Sequence, residues 1–196
     1  MPSYSTAIKV GGQDVRTLRD VLPESHGLRG LFVGKTPTPV SVAAGHYFQG
    51  RQGRMFWSML QTYDILRART EYEDDSLLSH GFGVTDISKI PRKYGQEPSE
   101  HEYREGSERI LALVYAHKPL VIVFIYKRVL DKILELRFGV AKKSRYGFND
   151  ELDKLFSCRV FVIPMPGTPC KATDAHSAML SLEALFRKNN RDNSGL

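Results

Sequence analysis

Residues 28–57, LRGLFVGKTPTPVSVAAGHYFQGRQGRMFW, gather the side-chain types that hold a nucleotide. The apolar run at 31–33 breaks at Gly34-Lys35-Thr36-Pro37, the way a buried strand of a parallel sheet ends in a turn. Ligands of open α/β sheets bind beyond such carboxyl ends. After the turn come the aromatic pair Tyr47-Phe48 and then Arg51 and Arg54, while Arg29 stands in front of it. An aromatic platform stacks a base and arginine neutralises phosphate, so the chemistry on offer is capture of a flat base on a phosphate chain. Gly34-Lys35-Thr36 also copies the end of the phosphate-loop pattern G-x-x-x-x-G-K-[ST]. That reading fails twice. Arg29 occupies the place of the leading glycine, and Pro37 drives Thr36 out of the α region just where such a loop must enter a helix.

The elements that must position this segment follow from periodicity and punctuation. Ile8 to Val15 reads as a peripheral hairpin turning at Gly11-Gly12, and Thr17 as the cap of a short helix through Leu22, stopped by Pro23. Met55, Phe56, Met59, Leu60 and Tyr63 recur at helical spacing, which predicts a helix with one apolar face and assigns Phe56 and Trp57 to packing. Asp74-Asp75 opens a short helix ending near Gly81, and residues 83–87 read as a turn. By itself Asp86 reads as the cap of that turn, a common use of aspartate. Residues 90–95 form a basic loop. Ser99 with Glu102 is a capping-box pattern for a long helix to about 116. A β-rich run follows at 120–125, then a helix at 129–136, a strand at 159–163, a loop at 164–170, and a last helix capped by Asp174. The polar tail from Asn189 is expected to fray. Strands separated by helices imply an α/β fold, a three-layer α/β/α domain over residues 1–196 with a mainly parallel central sheet.

A chain of 196 residues suits one core, and a formal charge of +6 favours an anionic partner, because lysine and arginine that neutralise phosphates release counterions. An ordinary basic surface is the alternative; the arginines around Tyr47-Phe48 favour nucleic acid. Cys158 and Cys170 lack C-x-x-C spacing, which points away from a disulfide framework and a thiolate metal site. The six histidines are scattered and read as surface or packing residues. We therefore expect no metal and no cofactor, and no membrane span, since the longest apolar run is strand-sized. A monomer in the cytoplasm, on the nucleoid, or in a nucleus is expected.

The order of apolar strand, G-x-x-P, small-residue loop, Gly-x-Tyr-Phe, arginine and Phe-Trp resembles the first motif of the uracil-DNA glycosylase superfamily, in particular its mismatch-specific uracil and thymine branch. Residues 80–87, HGFGVTDI, and 162–169, VIPMPGTP, resemble two later segments of the same branch, in the same order. The resemblance implies the superfamily's α/β/α fold, DNA carrying uracil or a related damaged base as partner, and release of that base to leave an abasic site. It implies base-binding roles for Gly34, Lys35, Pro37, Tyr47, Phe48 and Met165, with Phe48 as the stacking platform. It implies DNA contacts from Arg51, Arg54, Lys127, Pro166, Gly167, Thr168, Pro169 and Lys171, with Pro169 as a wedge in the vacated stack. The chain departs from the pattern at Thr36, where an asparagine that positions water is usual. A hydroxyl holds water but supplies no charge. The resemblance then puts the catalytic charge on Asp86, with Thr36 as a water contact. A non-catalytic DNA-binding relative is the alternative that the missing asparagine leaves open, and a phosphate-loop nucleotide hydrolase, which would turn over nucleotide with magnesium, is the third reading, ranked last for the two departures given above.

Overall fold

The computed structural model describes residues 3–24, 27–141 and 143–193. Strand β1 (Ser5–Val10) and β2 (Gln13–Leu18) form the expected antiparallel hairpin around Gly11-Gly12. Thr17 and Leu18, however, close β2 instead of opening a helix, and Val21 makes an isolated bridge to Val84. Pairing across the hairpin overrides the cap signal of Thr17, whose hydroxyl donates to the Lys89 carbonyl instead.

Strand β3 (Gly30–Gly34) is wholly buried and leads into a short helix α1 (Pro39–Ala44), a segment whose small residues read as a loop. Thr38 caps it and Pro39 enters as the first residue, where its fixed φ suits a helix start. Helix α2 (Arg51–Thr62) carries the apolar face read from its spacing. Two 3₁₀ turns, Glu73–Ser76 and Leu78–His80, end at Gly81, whose φ of 74° is left-handed. Residues 82–86 then form strand β4 (Phe82–Asp86), not the expected turn. Gly83, Thr85 and Asp86 break any apolar alternation, but full pairing with β3 and burial on both faces make the segment a strand.

The capping box at Ser99 and Glu102 is formed and starts α3 (Glu100–His117). Strand β5 (Val121–Phe124), helix α4 (Lys127–Phe138), a short edge strand β6 (Gly147–Phe148), helix α5 (Asp153–Phe156) and strand β7 (Arg159–Val162) follow. Helix α6 (Ala172–Asn193) begins ahead of Asp174 and continues past Asn189, so the tail expected from there is helical as far as Asn193; residues 194–196 lie outside the described ones.

The sheet runs β4-β3-β5-β7-β6, parallel except for β6. Alternation along the strands splits the core into two. Phe32, Val84, Val123 and Phe161 face α2, α6 and the hairpin. Leu31, Val33, Ile122, Phe124 and Val162 face α3 and α4. Three layers result, with no side of the sheet left to water. No helix among the described residues is long and apolar enough to cross a membrane.

Candidate active site

The chain leaves β3 towards β4 and leaves β5 towards β7, in opposite directions. A crevice opens where such neighbouring strands end. It holds a cavity of about 700 Å³, lined by Thr36 and Pro37 from the β3 turn, Tyr47 and Phe48 after α1, Asp86 at the end of β4, and Tyr126 after β5. That volume is within the range of small-ligand sites.

Asp86 is the unusual group. It is paired in register with Gly34 at the strand ends and is completely buried, and neither carboxylate oxygen has a hydrogen-bond partner among the described residues. Burial therefore pushes its carboxyl up to about 7, with Asp20 adding to the rise and Lys89 and Arg109 opposing it. Gly34 makes the room: a Cβ there would stand 2.1 Å from Asp86 Oδ1 and 3.0 Å from the Phe48 ring. The close approach needs glycine, although its backbone is an ordinary strand.

Helix α3 fixes the end of β4. Gly106 lets the helix pack against the Ile87 carbonyl, which would lie 1.9 Å from a Cβ at that position. Arg109 donates to the Asp86 carbonyl, to Thr85 Oγ at 2.9 Å and to Asp20 Oδ2 at 2.9 Å. Lys89 pairs with Asp20 and donates to the Tyr47 hydroxyl at 2.7 Å. Burial opposes ionisation of Asp20, but these two cations win and hold its carboxyl below the usual range. Burial likewise pulls the Lys89 ammonium down, against the pull of Asp20 and Asp86. The positive charge behind the cavity is thus committed to Asp20, and Asp86 keeps its anion-forming oxygens for whatever enters.

Phe48 has φ of 57°, a left-handed backbone that costs a bulky residue about 1–2 kcal/mol. Its surroundings impose it. A Cβ on Gly53 would lie 1.9 Å from the Phe48 carbonyl oxygen, and the Phe48 ring packs edge-on to Phe56 and tilted to Trp57, at centroid distances of 5.1 and 5.6 Å. Strain held by packing is common where a side chain must be aimed at a ligand. Behind it, Tyr47 N–H donates to Asp74 Oδ2 at 2.6 Å, and His46 Nδ1 lies 2.9 Å from Asp74 Oδ1. Burial raises the Asp74 carboxyl to about 6 in spite of these bonds. His46, Asp74 and Asp75 bring ligand-type atoms within 4.8 Å of one another, but the bonds between them and from Tyr4 to Asp75 account for the cluster as a brace under the Tyr47-Phe48 segment.

Residues 24–178 match the model of the family described as the uracil DNA glycosylase superfamily. The chain belongs to that superfamily. It is also 26% identical, over 136 residues, to a Schizosaccharomyces pombe (strain 972 / ATCC 24843) protein named G/U mismatch-specific uracil DNA glycosylase. The aligned part is 67% of this chain and 42% of the relative, so the chain spans less than half of that relative's length.

In this superfamily member, Thr36, Pro37, Tyr47, Phe48 and Asp86 do converge on one cavity, with Arg51 at its rim and Pro166 at its edge. Lys35 does not join them: its ammonium pairs with Glu97 at 2.8 Å, and the side chain is not among those lining the cavity. Met165 is buried and faces an adjoining groove instead, because its carbonyl closes a turn with Thr168 and directs the loop away. That groove, about 840 Å³ between α2, the 164–170 loop and α6, is lined by Arg51, Arg54, Pro166, Gly167 and Thr168. Arg51, Met55 and Pro166 line both spaces, so groove and cavity adjoin. Pro169 and Lys171 are exposed at the loop's outer side. Lys127 lines neither space and pairs with Asp131 at 2.7 Å, one helical turn on. Reading the sequence missed Gln52, Tyr94 and Tyr126 in the cavity wall and the Asp20–Lys89–Arg109 cluster behind it. Their partners lie 23 to 89 positions apart, and no local pattern marks them.

Proposed function

We propose that the chain is a DNA glycosylase that receives an extruded base, uracil foremost, in the cavity beyond β3 and β4 and hydrolyses its N-glycosidic bond to leave an abasic site. The observation that carries this reading is Asp86: a fully buried carboxylate whose oxygens have no partner among the described residues, lining a cavity beside an aromatic platform. Breaking the bond sends both of its electrons to the base and leaves positive charge at C1′ of the sugar. An ionised Asp86 stabilises that cation. It also accepts the proton lost when water adds to C1′, while the departing base anion takes a proton from solvent or a donor. Thr36, at the cavity wall, serves as a hydroxyl contact for the water. Phe48 stacks the base, worth about 1–3 kcal/mol for such a contact. The base must leave the duplex first, since neither the bond nor its backside is reachable in the stack. The arginine-lined groove beside the cavity, with Pro169 at its outer loop, is where the DNA strand and the gap it leaves would be held.

The test is incubation with uracil-, hypoxanthine- and thymine-mismatch oligonucleotides, followed by alkali. Strand cleavage that needs alkali and is abolished in Asp86→Asn supports a monofunctional glycosylase. DNA binding with no abasic sites from any of these substrates would instead make the chain a non-catalytic relative.

A further inference from the structure

We propose that Tyr94 is a second stacking platform, outside the cavity, that covers the base next to the extruded one on the side of the mouth away from the 164–170 loop. The inference rests on the reading of the chain as a DNA glycosylase and adds how the strand beside the extruded nucleotide is gripped. Six large apolar or aromatic side chains are exposed among the described residues, and two of them, Val40 and Tyr94, line this one cavity. A lone exposed aromatic is ordinary; one set on the rim of a binding cavity beside another apolar side chain marks a surface that something covers. The Tyr94 side chain is 81% exposed although it lines the cavity, so most of it projects beyond the mouth.

The ring is presented by a closed turn. The Gln96 N–H donates to the Lys93 carbonyl at 3.2 Å, and the Lys93 N–H donates to Gln96 Oε1 at 3.0 Å. Gly95 takes the left-handed φ of 86° that such a turn asks of its third residue, and Tyr94 stands just before it at the tip. Arg92 holds the base of the turn: its guanidinium pairs with Glu102 at 2.6 Å, and its backbone N–H donates to the Pro37 carbonyl at 3.0 Å. At the far end of the ring the hydroxyl lies 3.0 Å from Gln52 Nε2 on α2, while the ring's faces stay open to solvent.

Charge and strand order name the occupant. Lys93 beside Tyr94 and Arg51 on α2 are both exposed and line the same mouth. An aromatic face among cations suits a base on a phosphate chain. A nucleotide taken out of the stack leaves its neighbour with one bare face, and an aromatic ring covers such a face whatever the base. The 90–95 loop follows β4 and the 164–170 loop follows β7, with β3 and β5 between those strands in the sheet. The two loops therefore meet the strand from opposite sides of the extruded nucleotide, Pro169 on one side and Tyr94 on the other.

The experiment uses duplexes that carry one 2′-fluoro-arabinouridine, whose fluorine destabilises the cation at C1′ and so blocks release. The fluorescent base 2-aminopurine stands on its 5′ side in one duplex and on its 3′ side in the other. Bound to wild type, one of the two positions should stay quenched by the Tyr94 ring, and with Tyr94→Ala that position should brighten. Affinity should fall roughly 5- to 150-fold in Tyr94→Ala, the range for one stacked base, and by no more than about 3-fold in Tyr94→Phe, which keeps the ring and loses the contact with Gln52. The side chain is exposed, so its loss spares the fold. Unchanged brightness at both positions, or unchanged affinity, in Tyr94→Ala overturns the inference. A loss in Tyr94→Phe as large as that in Tyr94→Ala overturns it as well, since the hydroxyl and not the ring would then carry the binding. All three outcomes leave uracil release by wild type, and with it the glycosylase reading, untouched. A wild type that neither prefers these duplexes to undamaged DNA nor releases uracil would remove the glycosylase reading and the inference with it.

Discussion

Asp86 joins activity and stability through one protonation. Its carboxyl sits at about 7 in the fold against an ordinary 3.8, burial being the largest cause. A folded-state value above the unfolded one means that the fold prefers the protonated acid. Its contribution is therefore fully present below about pH 4 and is lost as pH rises through about 7. Worked from those two values, folding loses roughly 2–3 kcal/mol from this group between about pH 5 and pH 8. Asp86→Asn removes the titration. Its own unpartnered amide destabilises the fold to the same degree at both pH values. Asp74, pushed to about 6, titrates in the same window but is common to both proteins and cancels in their difference. Urea unfolding at the two pH values should then show the variant gaining on wild type by that amount as pH rises. In the same variant, single-turnover release of uracil should fall about 10²–10⁴-fold, the range for loss of a positioned acid–base group, while DNA binding persists. Wild-type release under subsaturating protein should rise with pH through about 7, the region where the free protein's carboxyl ionises. A stability difference that is flat with pH would show an ordinary carboxyl, and wild-type release rates in well-folded Asp86→Asn would refute its catalytic role.

Replacing Phe48 by alanine should weaken productive base binding roughly 5- to 150-fold, the equivalent of about 1–3 kcal/mol of stacking; unchanged release with an intact circular dichroism spectrum would take Phe48 out of the site. Gly34→Ala places a methyl 2.1 Å from Asp86 Oδ1 and should lower base release far more than it lowers secondary structure, read by the same two measurements. Arg51→Ala and Arg54→Ala should each flatten the salt dependence of DNA binding by about one unit of log–log slope for each phosphate the arginine neutralises. An unaltered slope would leave the arginine a purely structural part of α2, a role that Arg54 already has through its bond to the Gln49 carbonyl at 3.0 Å.

Local chemistry made much of the scaffold legible in the sequence. The hairpin at Gly11-Gly12, the capping box at Ser99 and Glu102, the apolar face of α2 and the β-rich run that became β5 each depend on neighbours a few positions away, and each formed. So did the break after Val33 that placed Thr36 and Pro37 at a strand's carboxyl end. Tertiary structure decided what depends on distant partners. Residues 82–86 lack a strand's alternation and became β4 because β3 supplies every pairing partner. Asp86 has the same side chain whether it caps a turn or waits in a cavity. What separates the two is that no donor among the described residues reaches its oxygens, and only the packing of Gly34, Phe48 and α3 creates that. Lys35 and Lys127 carry the right charge in the right segments, yet Glu97 and Asp131 turn them aside. Gln52, Tyr94 and Tyr126 meet only because three segments reach the same end of the sheet, a convergence set by strand order and not by any spacing along the chain.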